Sequence, residues 1–127
     1  MTDVAGWIII CEVAMFEKKM RLDALYDFYG KMLTEKQSEI MDLFCNLDYS
    51  LGEISELHGI SRQAVHDTIK RTEKTLENYE HQLGLFARFQ EKQAAFERIV
   101  QLIDQEGEAS FDARIREIKA IAERELE

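Results

Sequence analysis

Apolar positions recur every three or four residues along most of the chain, and that period predicts helices nearly throughout. Leu22, Leu25, Tyr26, Tyr29 and Leu33 form a first stripe, and Gly30 marks either its end or a close helix contact. Thr34 is placed to cap a second helix, with Gln37 three residues on as a capping box requires. Ile40, Met41, Phe44 and Leu47 give that helix its inner face, and Asn46 to Tyr49 connects it to Ser50.

From Ser50 to Lys74 the pattern becomes specific. Ser50 caps a short helix, with Glu53 at the capping-box position and Leu51, Ile54 and Leu57 on one face. Gly59 stands where a helix ends in a left-handed residue, and Ile60 follows to plug the turn into a core. Ser61 caps a second helix that buries Ala64, Val65 and Ile69. A capped helix, a small residue at Ser55, a Gly turn and a second helix with polar and basic residues facing out describe a helix-turn-helix. Its candidate nucleic-acid face is Arg62, Gln63, His66, Lys70, Arg71 and Lys74.

The second helix continues past the motif. Val65, Ile69, Thr72, Leu76, Tyr79, Leu83 and Phe86 are spaced alternately four and three apart, the spacing of a coiled-coil seam. Gly84 is placed to break or kink it. A further helix directs Phe89, Phe96, Val100 and Ile103 inward. Gly107 then ends that helix, Ser110 caps the last one, and Phe111, Ile115, Ile118 and Ala122 line its face. These helices either fold back on the first domain or pair two chains, and the seam leads us to expect a homodimer.

The predicted fold class is therefore all-α, a helix-turn-helix domain whose long recognition helix leads into further C-terminal helices. The expected organisation is an N-terminal extension over 1–14, a helix-turn-helix domain over 15–82 and a C-terminal helical extension over 83–127. Met1 to Met15 differs in style from the rest: it is either a short β-like or helical arm packed on the domain or an extension upstream of a natural start at Met15, and the second is the expectation. Its apolar run is too short to span a membrane and lacks the flanks of a signal peptide.

Composition agrees with helices, since Pro is absent and there are only 6 Gly in 127 residues. Two cysteines, Cys11 and Cys45, make neither a disulfide framework nor a zinc site, which points to a reducing cytoplasm. Charge changes the picture more. The net charge is −9, from 25 acids and 16 bases, whereas a protein that coats nucleic acid is usually basic. The recognition helix is nonetheless locally positive: Ser61 to Lys74 has four bases and two acids. Acidic Glu35, Glu39, Asp42, Glu53 and Glu56 precede it and suit a basic protein surface.

Nothing in the sequence assembles a reaction centre. There is no Gly-rich phosphate loop, and His58, His66 and His81 lack metal-ligand spacing with a carboxylate. Cys45 beside Phe44 reads as core, and Asp67 is placed for an i,i+4 pair with Arg71. The expectation is a binding protein with no cofactor, not an enzyme.

The runs LYDFYGKMLTEKQSEIMDLF and DYSLGEISELHGISRQAVHDTIKRTEKTLENYEHQL resemble the YlxM family of bacterial proteins. The resemblance covers roughly Met15 to Ile103, and the motif is also similar to the last DNA-binding region of sigma factors. The resemblance implies a small helical cytoplasmic protein that assists or regulates the signal recognition particle pathway, with Ffh, FtsY or the particle RNA as partners. The alternative is a DNA-binding transcription regulator in which Arg62, Gln63 and His66 read base edges.

Overall fold

The computed structural model describes residues 4–105 and 111–127. The elements are α1 (Val4–Tyr29), a 3₁₀ turn (Gly30–Met32), α2 (Glu35–Met41), a π-helical turn (Asp42–Asn46), α3 (Leu51–His58), α4 (Arg62–Leu83), α5 (Leu85–Asp104) and α6 (Phe111–Leu126). No strand occurs among the described residues, so the all-α, helix-turn-helix fold expected from the sequence is the fold observed. The chain divides into two compact units, Met1–Gly84 and Leu85–Glu127.

In the first unit α1, α2 and α4 enclose the core, and α3 packs on α4. Leu25, Ile40, Met41, Ile54, Val65 and Leu76 are completely buried, joined by Tyr29 and Leu22 from the first stripe. Each side chain of this size contributes about 1.5–3 kcal/mol by leaving water. Thr34 forms a complete capping box: its Oγ1 accepts from the Gln37 amide at 3.3 Å, and the Gln37 side chain accepts from the Thr34 amide at 3.2 Å.

The seam on α4 is real, but its partner is this same chain. Val65, Ile69, Thr72 and Leu76 are buried where α4 packs against α1 and α2. Tyr29 ends α1 level with Tyr79 and Glu80, with ring centroids 6.0 Å apart in the Tyr29–Tyr79 pair. α1 runs out there, so Leu83, a turn further on, is 48% exposed while Glu80 is buried. Gly84 then ends α4 outright, in the left-handed conformation at φ 63°.

Cys45 is buried, as the sequence reading expects, whereas Leu47, expected inside, is 55% exposed. The cause is the π-helical turn, in which the Leu47 amide donates to the Asp42 carbonyl five residues back. Its wider turn rotates everything after it off the α-helical register. Leu57 is also exposed. In a helix of two turns it lies about 60° beyond Ile54, on the side away from Leu51.

Among the described residues helix already runs from Val4, well ahead of the first apolar stripe at Leu22. Between Val4 and Phe16 the large apolar side chains, among them Trp7, Ile8, Ile9 and Ile10, are exposed. No helix among the described residues is long and apolar enough to cross a membrane.

The second unit is a pair of helices, α5 packed on α6. The expected inner faces are displaced. Leu102 and Ile121 are the buried residues, with Ala95, Ile99 and Ile118 half-buried, while Phe89, Phe96, Val100, Ile103, Phe111, Ile115 and Ala122 are exposed. α5 carries two apolar stripes, and period alone does not say which one takes the neighbour. The stripe containing small Ala95 does, because a small residue lets the second helix approach. Arg98 Nη2 meets Glu117 Oε1 at 2.9 Å on the same side. The stop at Gly107 and the cap at Ser110 lie outside the described residues.

Candidate nucleic-acid interface

The motif is built by its caps. Ser50 Oγ accepts from the Glu53 amide at 3.1 Å, without the return bond that would complete a capping box. α3 ends at Gly59, left-handed at φ 63° and ψ 32°. The Ser55 hydroxyl donates to the Ile60 carbonyl while the Ile60 amide donates to the Ser55 carbonyl. Ser55 therefore ties down both polar groups of Ile60, which is half-buried. Ser61 Oγ then accepts from the Ala64 amide at 3.0 Å and starts α4. The chain turns from α3 to α4 through three residues whose polar groups are largely satisfied locally.

Val65 and Ile69 anchor α4 in the core, and all six candidate residues, Arg62, Gln63, His66, Lys70, Arg71 and Lys74, are exposed. They do not share one line. At about 100° per residue, Arg62, His66, Lys70, Gln63 and Lys74 occupy an arc of roughly 120°, and Arg71 lies about 60° beyond Lys74. Along the axis the set spans about 18 Å.

Three of the six have local partners. Gln63 Nε2 donates to Asp67 Oδ1 at 2.9 Å, His66 Nδ1 lies 3.7 Å from the same oxygen, and Lys70 Nζ lies 3.3 Å from Glu73 Oε2. Asp67 thus serves Gln63 rather than Arg71, a correction to the i,i+4 pair read from the sequence. Among the described residues no carboxylate lies within ion-pair distance of Arg62, Arg71 or Lys74. Their charge is available to an external anion.

Sequence reading missed the contribution of α1. A cleft of about 510 Å³ runs between α1 and α4, with Lys18, His66 and Lys70 among its lining and Leu22, Phe44 and Ile69 at its apolar side. Lys18 is exposed and brings another cation to the His66–Lys70 edge. Its neighbour Lys19 is occupied: Nζ meets Asp23 Oδ1 at 2.6 Å and the Phe44 carbonyl at 3.2 Å, and sits 4.5 Å from the Phe44 ring centroid. Lys18 precedes His66 by 48 residues in sequence, and only the packing of α1 brings it there.

An ion pair between α1 and α4 holds this arrangement. Arg21 makes a two-pronged bond to Glu77, Nε to Oε1 at 2.7 Å and Nη2 to Oε2 at 2.8 Å. That bond holds the Glu77 carboxyl below its usual range and raises the Arg21 guanidinium. Burial, with a hydrogen bond to Asp23, pushes the Cys45 thiol up to about 12.

A short capped helix, a left-handed glycine and a second capped helix with an exposed cationic arc define a helix-turn-helix protein. A family profile described as "Putative helix-turn-helix protein, YlxM / p13 like" (UPF0122) matches residues 16–118. The UPF0122 protein of Geobacillus kaustophilus is 45% identical over 106 residues, covering 82% of this chain and 96% of that protein. The UPF0122 protein of Bacillus licheniformis is 50% identical over 93 residues, covering 73% and 87%. That of Halalkalibacterium halodurans is 45% identical over 92 residues, covering 72% and 84%. The chain belongs to the UPF0122, or YlxM / p13-like, family.

Proposed function

We propose that this protein is an accessory or regulatory factor of the signal recognition particle pathway, acting in the cytoplasm by binding and not by catalysis. The observation that carries the binding half is the exposed arc on α4, where Arg62 and Lys74 stand without an acidic partner among the described residues in a chain of net charge −9. So confined a positive surface makes few phosphate contacts, with modest, salt-sensitive affinity. The pathway rests on the resemblance to the YlxM family, whose implied partners are Ffh, FtsY and the particle RNA. The acidic surface of Glu35, Glu39, Asp42, Glu53 and Glu56, all exposed, faces a basic protein in this reading. Arg62, Gln63, His66, Lys70, Arg71 and Lys74 face RNA phosphates, reading shape more than sequence.

One observation favours a second reading. The helix-turn-helix leaves the first turns of α4 exposed, as insertion into a DNA major groove requires. In that reading the protein is a transcription regulator, and Arg62, Gln63 and His66 contact base edges. Two copies paired through the exposed stripe of α5 would supply the two motifs that a palindromic site needs. The experiment offers the purified chain a random DNA library and, separately, the particle RNA with and without Ffh. Retention of RNA or Ffh against excess competitor DNA supports the first reading. Enrichment of one palindromic DNA site, with neither RNA nor Ffh retained, replaces it with the second.

A further inference from the structure

Gly52 sits in the first turn of α3 without a backbone reason to be glycine. Among the described residues the positive-φ glycines are Gly59 and Gly84, so position 52 has room in φ for any L residue, and Ala is a better helix former there. What position 52 does meet is Arg62. A Cβ on Gly52 would fall 2.7 Å from Arg62 Nη2, 3.1 Å from Nε and 3.2 Å from Cζ. The guanidinium of the first residue of α4 therefore lies against the bare backbone of α3.

We infer that Gly52 is a positioning residue: its missing side chain forms the seat that holds the Arg62 guanidinium at the start of the recognition helix. Arg62 is exposed and has no ion-pair partner among the described residues, so the contact with Gly52 is what locates its long side chain. A guanidinium held in place before binding loses less conformational freedom when it meets a phosphate or a base edge. The inference rests on the proposed reading of the α4 face. It adds that α3 contributes through a residue with no functional group of its own. A methyl at position 52 displaces the end of a flexible side chain and no backbone, so the fold tolerates it.

The test uses the full chain as wild type, G52A, R62A and the double variant, with a fluorescent RNA hairpin and a DNA duplex titrated at several salt concentrations. R62A is expected to weaken binding on the order of tenfold and to lower the salt slope by about one. G52A is expected to weaken it in the same sense with an unreduced melting temperature. The double variant is expected to bind no more weakly than R62A alone, because both changes remove one interaction. Relaxation of the Arg62 Nε–H in the free protein reads the seat without nucleic acid: ordered in wild type and mobile in G52A. If R62A weakens binding and G52A does not, or if the two losses add, the seat is refuted and the reading of α4 stands. If Arg62 Nε–H is equally mobile in both proteins, the seat is refuted whatever binds. If R62A binds as wild type, Arg62 leaves the interface and the inference falls with it.

Discussion

The Tyr29 hydroxyl donates to Glu80 Oε2 at 3.1 Å, joining the last residue of α1 to a buried carboxylate 51 residues later on α4. It closes the end of the core that also holds the Tyr29–Tyr79 ring contact. Replacing Glu80 by Ala removes this acceptor from a buried hydroxyl, which costs about 1–3 kcal/mol. Y29F is expected to cost less. The Y29F/E80A double variant should lose less than the sum of the two, because both act on one bond. Urea unfolding of the four proteins checks this.

The Arg21–Glu77 bond gives a pH signature. Glu77 has a folded-state pKa below its unfolded value. Its contribution is therefore complete above the unfolded value of about 4.3 and is lost as pH falls through the folded pKa. Both side chains are over 40% exposed, so solvent screening limits the effect to about 1 kcal/mol or less. E77Q should be less stable than wild type by a constant amount at neutral pH, with the gap closing below about pH 4. Urea midpoints between pH 3 and pH 7 measure it.

The two cysteines should differ in reactivity. Cys11 is exposed, whereas Cys45 is buried and its thiol is pushed up to about 12. Alkylation acts through the thiolate, so Cys45 stays protonated and shielded throughout the neutral range. Maleimide labelling at pH 7 followed by mass spectrometry should give one adduct, on Cys11, in the native protein. In denaturant it should give two.

What the sequence made legible was local. Caps at Thr34, Ser50 and Ser61 and the left-handed stop at Gly59 are written in a few adjacent residues, and each appears in the structure, the Ser50 cap without its Glu53 return bond. The exposed side of α4 followed from period alone. What was not legible depended on neighbours distant in sequence. The π-helical turn that takes Leu47 out of the core has no local marker. The burial of Glu80 depends on where α1 ends, and the arrival of Lys18 at the cleft depends on how α1 packs. The choice between two apolar stripes on α5 depends on α6.

The exposed side of α5 leads to a prediction about assembly. Phe96, Val100 and Ile103 repeat at four- and three-residue steps and are 59%, 54% and 64% exposed. A stripe of this kind suits a second copy. The α4 seam does not, because it is already buried within the chain. Light scattering at micromolar concentration should give twice the chain mass for wild type. F96D should give the monomer mass with unchanged helicity. A monomeric wild type removes pairing through α5.

The most direct test of the central claim is a salt titration of nucleic-acid binding by wild type and by R62A/K70A. If the α4 arc makes the phosphate contacts, log K falls with log salt for wild type, and the slope of the double variant is smaller by up to about two. Its affinity is lower at every salt concentration and its circular dichroism is unchanged. Binding by the double variant equal to wild type across the whole titration would contradict the account.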